Sequence, residues 1–294
     1  MELVDAIEAA IHQDVGRNIA PMFAATRGGL RGAVTALADA RGTVGLITGF
    51  YVPAGTPPAA ETDGPIATAL LARGLLHVGL ACRVCTDAPC ASACRAALAA
   101  AGVAEVPVDV VPLGGSVADV IAVWRAHDVR HAVAIERCGR TADGTARNMR
   151  GDDISAATTL LDDLFLAGPW DTIAVGDGGN EIGMGSLSRD VIAANIAHGE
   201  TIACVTPATH LILAGVSHWG AYALLGGLAT VRNDWREALL ACLDPALDQA
   251  VLEATVRDGP AVDGVTRQQT MTIDTFVMAR HHQVLAEIRR LLRA

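Results

Sequence analysis

The 294-residue chain is 51% hydrophobic and 18% charged, which supplies a large core and excludes broad disorder. Its net charge of −10, with no basic run, argues against nucleic acid and anionic membrane as partners. All 22 basic residues are arginine, so lysine-linked pyridoxal phosphate chemistry and the Walker lysine are excluded.

No apolar run reaches transmembrane length. The segment Met1-Glu-Leu-Val-Asp5 resembles neither a signal nor a transit peptide, and a cytoplasmic protein is the expectation. Helical spacing covers 2–12 and Gly28–Ala40, with Gly42 as the stop. A buried strand, Val44–Phe50, runs into the Pro/Gly loop Tyr51–Pro58. Glu61-Thr-Asp-Gly-Pro65 then opens a helix over 66–78. Strands at Ala81–Thr86, Val106–Leu113 and His131–Ile135 alternate with helices at 89–101 and Val117–Ala126. A polar loop fills 136–153, and a helix over 154–167 leads to the strand Asp171–Val175. Thr201–Val205 and Leu211–Val216 are further strand candidates, followed by helices at 219–230, 234–256 and 275–292.

This alternation predicts a three-layer α/β/α sandwich with a mainly parallel, Rossmann-like sheet. The chain reads as a single domain, with N-terminal helices over 1–43, an α/β core over 44–230 and a helical C-terminal extension over 231–294.

In such sheets ligands bind beyond the carboxyl ends of the strands. Four polar clusters fall there: Glu61-Thr-Asp-Gly-Pro65, Glu136-Arg-Cys-Gly-Arg140, Gly176-Asp-Gly-Gly-Asn-Glu181 and Ser217-His-Trp-Gly220. The third holds the densest glycine, which lets a ligand approach the main chain. Glu61, Asp63, Glu136, Asp177 and Glu181 are thus expected to be near neighbours. Like charges so placed raise one another's pKa or recruit a hard cation such as Mg²⁺ or Mn²⁺, with Asp63, Asp177 and Glu181 as the expected ligands. In the loop 136–153, Arg137, Arg140, Arg147 and Arg150 suit a carboxylate, or else pair locally with Asp143, Asp152 and Asp153. Cys82, Cys85, Cys90 and Cys94 have a spacing zinc tolerates, but strand alternation sends the first two to opposite faces. Small, reduced, buried thiols are the expectation. No Gly-x-Ser-x-Gly elbow, His-Glu-x-x-His pair or P-loop is present.

Together, Thr48-Gly-Phe50, Glu61-Thr-Asp-Gly-Pro65, Ile135-Glu-Arg-x-Gly-Arg140, Asn148-Met-Arg-Gly151, Gly176-Asp-Gly-Gly-Asn-Glu-Ile-Gly-Met-Gly185 and Val216-Ser-x-Trp-Gly220 resemble the D-glutamate cyclase C-terminal domain family. The order and spacing agree from about residue 44 to 230, and Val262-Asp-Gly-Val-Thr266 extends the match. Departures are Cys138 in place of an expected proline, His218 in place of an expected asparagine, the absence of a tyrosine expected near Ala146, and an Ile273-Asp-Thr275 segment that lacks an expected glycine.

The resemblance implies a lyase that dehydrates D-glutamate, or a related amino acid, to 5-oxo-D-proline. Asp177 or Glu181 is the expected base, with Glu136, Asp63 and Glu61 as further acids. The expected substrate contacts are Thr48, Gly49, Arg137, Arg140, Asn148, Arg150, Asn180, Ser217 and Trp219. Arg137 would hold the α-carboxylate, and the Gly178 and Gly179 amides would stabilise an oxyanion. The alternatives are a metal-dependent hydrolase of a small carboxylated amide or lactam, and a non-catalytic amino-acid-binding protein. The expected partner is a small-molecule amino acid; homodimerisation is left open.

Overall fold

The computed structural model describes residues 2–293. Helices α1 (Glu2–Ile11), α2 (Ala20–Thr26) and α3 (Gly29–Ala38) precede strand β1 (Thr43–Thr48). A small ribbon, β2 (Tyr51–Val52) with β3 (Ala59–Ala60), leads into α4 (Pro65–His77). Then come β4 (Ala81–Asp87), α5 (Ala91–Ala100), β5 (Val108–Val111), α6 (Ala118–Ala126), β6 (Val129–Ile135), the short α7 (Asp162–Leu166) and β7 (Asp171–Gly176). Helices α8 (Arg189–Asn195) and α9 (Gly199–Ile202) separate β7 from β8 (His210–Leu213). Beyond β8 lie α10 (Ser217–Val231), α11 (Arg236–Cys242), α12 (Pro245–Arg257), a second ribbon of β9 (Thr272–Ile273) with β10 (Phe276–Val277), and α13 (Met278–Arg293).

Six strands form one parallel sheet in the order β5-β4-β1-β6-β7-β8, with helices on both faces. Counting sheet strands alone, this is the Rossmann-like order 3-2-1-4-5-6. The winding reverses between β1 and β6, so the loops that leave these strands diverge and open a crevice at their carboxyl ends. Strand alternation fills the two faces. Val44, Leu46, Val133 and Val175 enter the core shared with α1, α3, α4 and α10, while Ile47, Ala132, Ala134 and Ala174 enter the core shared with α6, α7 and α8. Cys82 packs in the first core and Cys85 in the second, on opposite faces as alternation requires.

Local sequence was overridden in several places. The helix expected over 154–167 is a 3₁₀ turn at Ser155–Ala157 and the short α7. Between them Thr158 is extended, and Thr159 is tied down by its amide on Asp87 Oδ2 (3.0 Å) and its carbonyl accepting from Arg137, so tertiary partners outweigh helix propensity. Thr201–Val205 is no strand; part of it is α9. The helix expected over 234–256 breaks at Leu243, because Asp244 caps α12 through the amides of Ala246 (2.7 Å) and Leu247 (3.1 Å) with Pro245 following. The C-terminal extension is not wholly helical: residues 261–277 form a loop and ribbon that run back over the crevice.

Candidate active site

The crevice is built around the N-terminus of α10. This helix lies unusually close to the sheet because Gly220 faces Val175, where a Cβ would meet Val175 Cγ1 at 2.2 Å. Close approach brings the first turn of α10 to the carboxyl ends of β6 and β7. There the Ser217 amide donates to Asp177 Oδ2 (2.9 Å), the Ser217 hydroxyl donates to Glu136 Oε2 (2.5 Å), and the His218 amide points at Asp63 Oδ2 (3.4 Å). One carboxylate oxygen from each of Asp63, Glu136 and Asp177 lies within 4.8 Å of the other two. Three acids from the loops after β1, β6 and β7 thus share one helix N-terminus, whose positive end favours negative charge.

The sequence places each acid by a local device. Glu136 leaves β6 with φ of 45°, a left-handed conformation costly for a non-glycine residue, which turns its carboxylate toward α10. Asp63 accepts from the Gly64 amide (2.7 Å) at the start of α4. Asp177 directly follows β7, and the Glu181 carboxylate accepts the amides of Asp177 (2.8 Å), Gly178 (2.6 Å) and Gly179 (2.6 Å). Glu181 therefore shapes the glycine loop from inside.

Two further groups complete the cluster. Arg17 bridges Asp177 (2.5 Å) and Asp274 (2.6 Å). It comes from the segment between α1 and α2, where Asp14 Oδ1 accepts the amides of Gly16, Arg17 and Asn18. Asp274 comes from the 261–277 loop. That loop is organised by buried Asp263, which accepts the amides of Val265, Thr266 and Thr275 at 2.7–2.9 Å. The same loop clamps the acids after β1: the Thr62 amide donates to the Val262 carbonyl (2.8 Å), and Gly264 lies so near Glu61 that a Cβ would meet Oε2 at 2.0 Å.

A cavity of about 280 Å³ opens onto this cluster. Glu61, Glu136, Asp177, Asp274 and Arg17 line its floor, Asn180 and Met149 one wall, and Phe50–Ala54 another; Asn148, Arg150, Val265 and Arg267 stand around it as well. Glu61 Oε1 and Asn180 Oδ1 are buried acceptors without a hydrogen-bond donor among the described residues.

Burial sets the electrostatics. Asp63 is pushed up to about 7, first by burial and then by the charge of Asp274. Glu61 and Glu136 are raised well above the usual carboxylate range by burial and by neighbouring acids. Asp177 is raised by burial, with Arg17 opposing. Behind Asp63 lies a second buried network. His218 Nε2 meets Asp248 Oδ1 at 2.9 Å, Tyr222 donates to Asp248 Oδ2, and the Trp219 indole donates to His281 Nδ1 (2.9 Å). Asp248 holds the imidazole of His218 above its ordinary pKa against burial.

The structure separates the expected substrate residues. Asn148, Arg150 and Asn180 line the cavity, and Ser217 is at the acids. Arg137 is elsewhere: fully buried, it donates to Asp87 Oδ2 (2.8 Å), to the Gly49 carbonyl (2.6 Å) and to Thr159, tying three loops together. Arg140 pairs with Asp163 (2.8 Å) at the surface, and Arg147 with Asp143 (2.9 Å). Thr48 donates to the Ile135 carbonyl (2.9 Å), Gly49 packs against Thr86, and Trp219 is enclosed with His281. These roles are structural. The Gly178 and Gly179 amides are taken by Glu181, so they form no oxyanion hole, and Glu181 is neither the base nor a metal ligand in this geometry. Glu136 takes its place, so the oxygen set fit for a hard cation is Asp63, Glu136 and Asp177.

Arg17, Asp263, Asp274 and Arg267 were missed as site residues. Each lies in a connecting segment distant in sequence from the strand-end motifs. The available signals were the Asp14-x-Gly16 turn and Asp263-Gly264, both places where an aspartate organises local backbone amides.

Two comparisons bear on identity. The family model described as D-glutamate cyclase-like, C-terminal, matches residues 7–289. The human protein named D-glutamate cyclase, mitochondrial, is 47% identical over 98 residues, which is 32% of this chain and 16% of that protein. This chain thus matches well under two thirds of that relative's length. The match over 7–289 takes in the strand-end acids as well as Arg17, Asp263 and Asp274, which the motifs over 44–230 left out: the chain belongs to the D-glutamate cyclase-like family.

Proposed function

We propose that the protein is a D-glutamate cyclase-like lyase, which converts D-glutamate or a close relative to 5-oxo-D-proline and water. The observation that carries this reading is the closeness of Asp63, Glu136 and Asp177, the last two lining a cavity that also presents arginine. Cyclisation needs an amine stripped of one proton to attack the γ-carboxyl carbon. It also needs an acid to protonate the oxygen that leaves. Like-charged carboxylates held together divide these tasks, since their mutual repulsion keeps some protonated and others ionised near neutral pH.

Asp177 is the base in this reading. Burial raises its pKa and makes it a stronger base than a free carboxylate, while Arg17 at 2.5 Å opposes that rise and favours the ionised form. Glu136, with no cation paired to it, is the acid that delivers a proton to the departing hydroxyl. The γ-carboxylate takes one proton from the acid cluster and the ammonium gives its first proton to Asp177; as the N–C bond forms and the C–O bond breaks, Glu136 protonates the departing hydroxyl and then takes the second nitrogen proton, so two protons leave nitrogen and two leave with the oxygen as water. The unpartnered oxygens of Glu61 and Asn180 suit the incoming ammonium. Holding both ends of glutamate folded supplies the proximity that the uncatalysed reaction lacks.

An all-carboxylate oxygen set also fits a divalent cation. Mg²⁺ or Mn²⁺ would be held by Asp63, Glu136 and Asp177, and when bound would supply Lewis-acid polarisation of the γ-carboxyl.

The test is mass spectrometry of purified protein incubated with D-glutamate and, separately, with 5-oxo-D-proline, with and without added Mg²⁺ or Mn²⁺. Loss of water from D-glutamate is expected. Lactam hydrolysis is the same reaction in reverse, and hydrolysis of other amides without it would favour a hydrolase. Binding without turnover of either compound would overturn the catalytic reading.

A further inference from the structure

The acids account for the floor of the cavity and leave two cations beside it unexplained. Buried or half-buried arginines elsewhere near the site have carboxylate partners: Arg17 has Asp177 and Asp274, and Arg137 has Asp87. Arg150, which is exposed, and Arg267, which is half-buried, have none; among the described residues neither guanidinium lies within ion-pair distance of an acid, and both line the cavity. Arg150 donates to the Val265 carbonyl (2.9 Å), which joins the loop after β6 to the 261–277 loop and fixes where its guanidinium sits. Arg267 lies two residues further along that second loop, in a left-handed conformation with φ of 61°, and its carbonyl accepts from the Thr56 amide (2.8 Å). Burial and the charge of Arg267 lower the pKa of Arg150, with the charge of Asp152 opposing them. Two like charges held beside one cavity by separate loops, one of them in a costly backbone conformation, present paired donors to an anion that enters between them.

We propose that Arg150 and Arg267 form the seat for the substrate carboxylate that does not react, which makes the enzyme selective for amino dicarboxylates. The proposal rests on the cyclase reading of the acids. The γ-carboxyl enters among the acids, where protonation removes its charge, and the α-carboxylate stays ionised between the guanidinium groups. One cavity thus treats the two carboxyl groups of one molecule differently.

The test uses Arg150→Gln, Arg267→Gln and the double variant, with melting temperature as a fold control. Two readouts separate the seat from the chemistry. The first is kinetics with D-glutamate against 4-aminobutyrate, which carries the same amine and γ-carboxyl but no α-carboxylate. The second is calorimetric binding of glutarate, a dicarboxylate that cannot cyclise. For each single variant KM for D-glutamate should rise ~10–100-fold, as loss of a charged hydrogen bond predicts, with kcat changed less. Glutarate affinity should fall in parallel, and 4-aminobutyrate kinetics should not move. Glutarate binding that depends on both arginines, in a protein that does not turn over D-glutamate, would keep the seat and discard the cyclase reading. Turnover of D-glutamate with KM unchanged in the double variant would discard the seat and keep the cyclase reading. Failure of the wild type to bind glutarate or D-glutamate would also overturn the seat.

Discussion

Glu136 and Arg137 are consecutive residues, both buried at the end of β6, and they live in opposite electrostatic worlds. Arg137 is enclosed with Asp87 in an ion pair, and the Gly49 and Thr159 carbonyls accept from its Nη1 and Nη2. Asp87 holds the arginine above its ordinary pKa, and Arg137 holds Asp87 below its own. Glu136 has no ion-pair partner among the described residues, sits against two more carboxylates, and faces a cavity. A buried charge with its partner and no access to solvent is architecture. Buried like charges with access to a cavity cost stability that folding alone does not require, and such clusters belong to function. The strained φ at Glu136 is the hinge between the two environments.

The comparison breaks if both clusters respond alike to loss of charge. Asp177→Asn should lower turnover of D-glutamate ~10²–10⁴-fold, the usual cost of losing a general base, and leave the melting temperature near wild type. The amide keeps an acceptor for the Ser217 amide, and Arg17 keeps Asp274. Steady-state rates beside a melting curve check this. Wild-type rates in the variant would remove Asp177 from the mechanism.

Asp87→Asn should do the reverse. It leaves the Arg137 guanidinium buried without a counter-ion, and breaking such a pair costs about 3–5 kcal/mol. Urea unfolding should show the loss directly. Activity per folded molecule should hold, because Asp87 touches no cavity residue of the acid cluster. A stable but inactive Asp87→Asn protein would show that the matched pair serves catalysis after all.

How much of this was legible follows the same divide. The parallel sheet and the convergence of Asp63, Glu136 and Asp177 could be read because Glu136 and Asp177 follow directly from apolar strands, Asp63 lies in the loop after another, and parallel strands put their carboxyl ends on one edge. What could not be read is where a polar side chain spends its hydrogen bonds. Arg137 and Glu181 sit in the most distinctive motifs, yet one is consumed by Asp87 and Gly49 and the other by three loop amides. Arg17 and Asp274 are the converse: unremarkable in sequence, 257 positions apart, and brought onto one cavity floor only by tertiary folding.

Asp63 sharpens the comparison through pH. Its pKa is raised from 3.8 to about 7, so the folded state holds a proton that the unfolded chain has released. Its contribution is fully present below pH 4 and is lost as pH rises through 7. A shift of that size corresponds to roughly 4 kcal/mol between the two limits at ~1.36 kcal/mol per pH unit. Asp63→Asn should therefore flatten the decline in stability between pH 4 and 7 in metal-free buffer and raise stability at neutral pH. Asp87→Asn should not, since the Asp87 pKa is lowered. Chemical denaturation at several pH values decides; parallel curves for wild type and Asp63→Asn would mean the acid is not held protonated.

The smallest effect concerns the cation. If Asp63, Glu136 and Asp177 present their oxygens to Mn²⁺, the metal binds the folded chain alone and adds about 2.7 kcal/mol at one hundred times its dissociation constant. The melting temperature should rise with Mn²⁺ at pH 8 and respond little at pH 5, where the raised pKa values keep protons on the same oxygens. Glu136→Gln should abolish the rise. Glu181→Gln should not: its carboxylate is committed to the amides of Asp177, Gly178 and Gly179, so the variant should start from a lower melting temperature and still gain the full increment. Thermal melts of the three proteins with and without Mn²⁺ test this. An increment lost with Glu181 and kept without Glu136 would return the metal set to the one read from sequence, and would require the glycine loop to open before the cation enters.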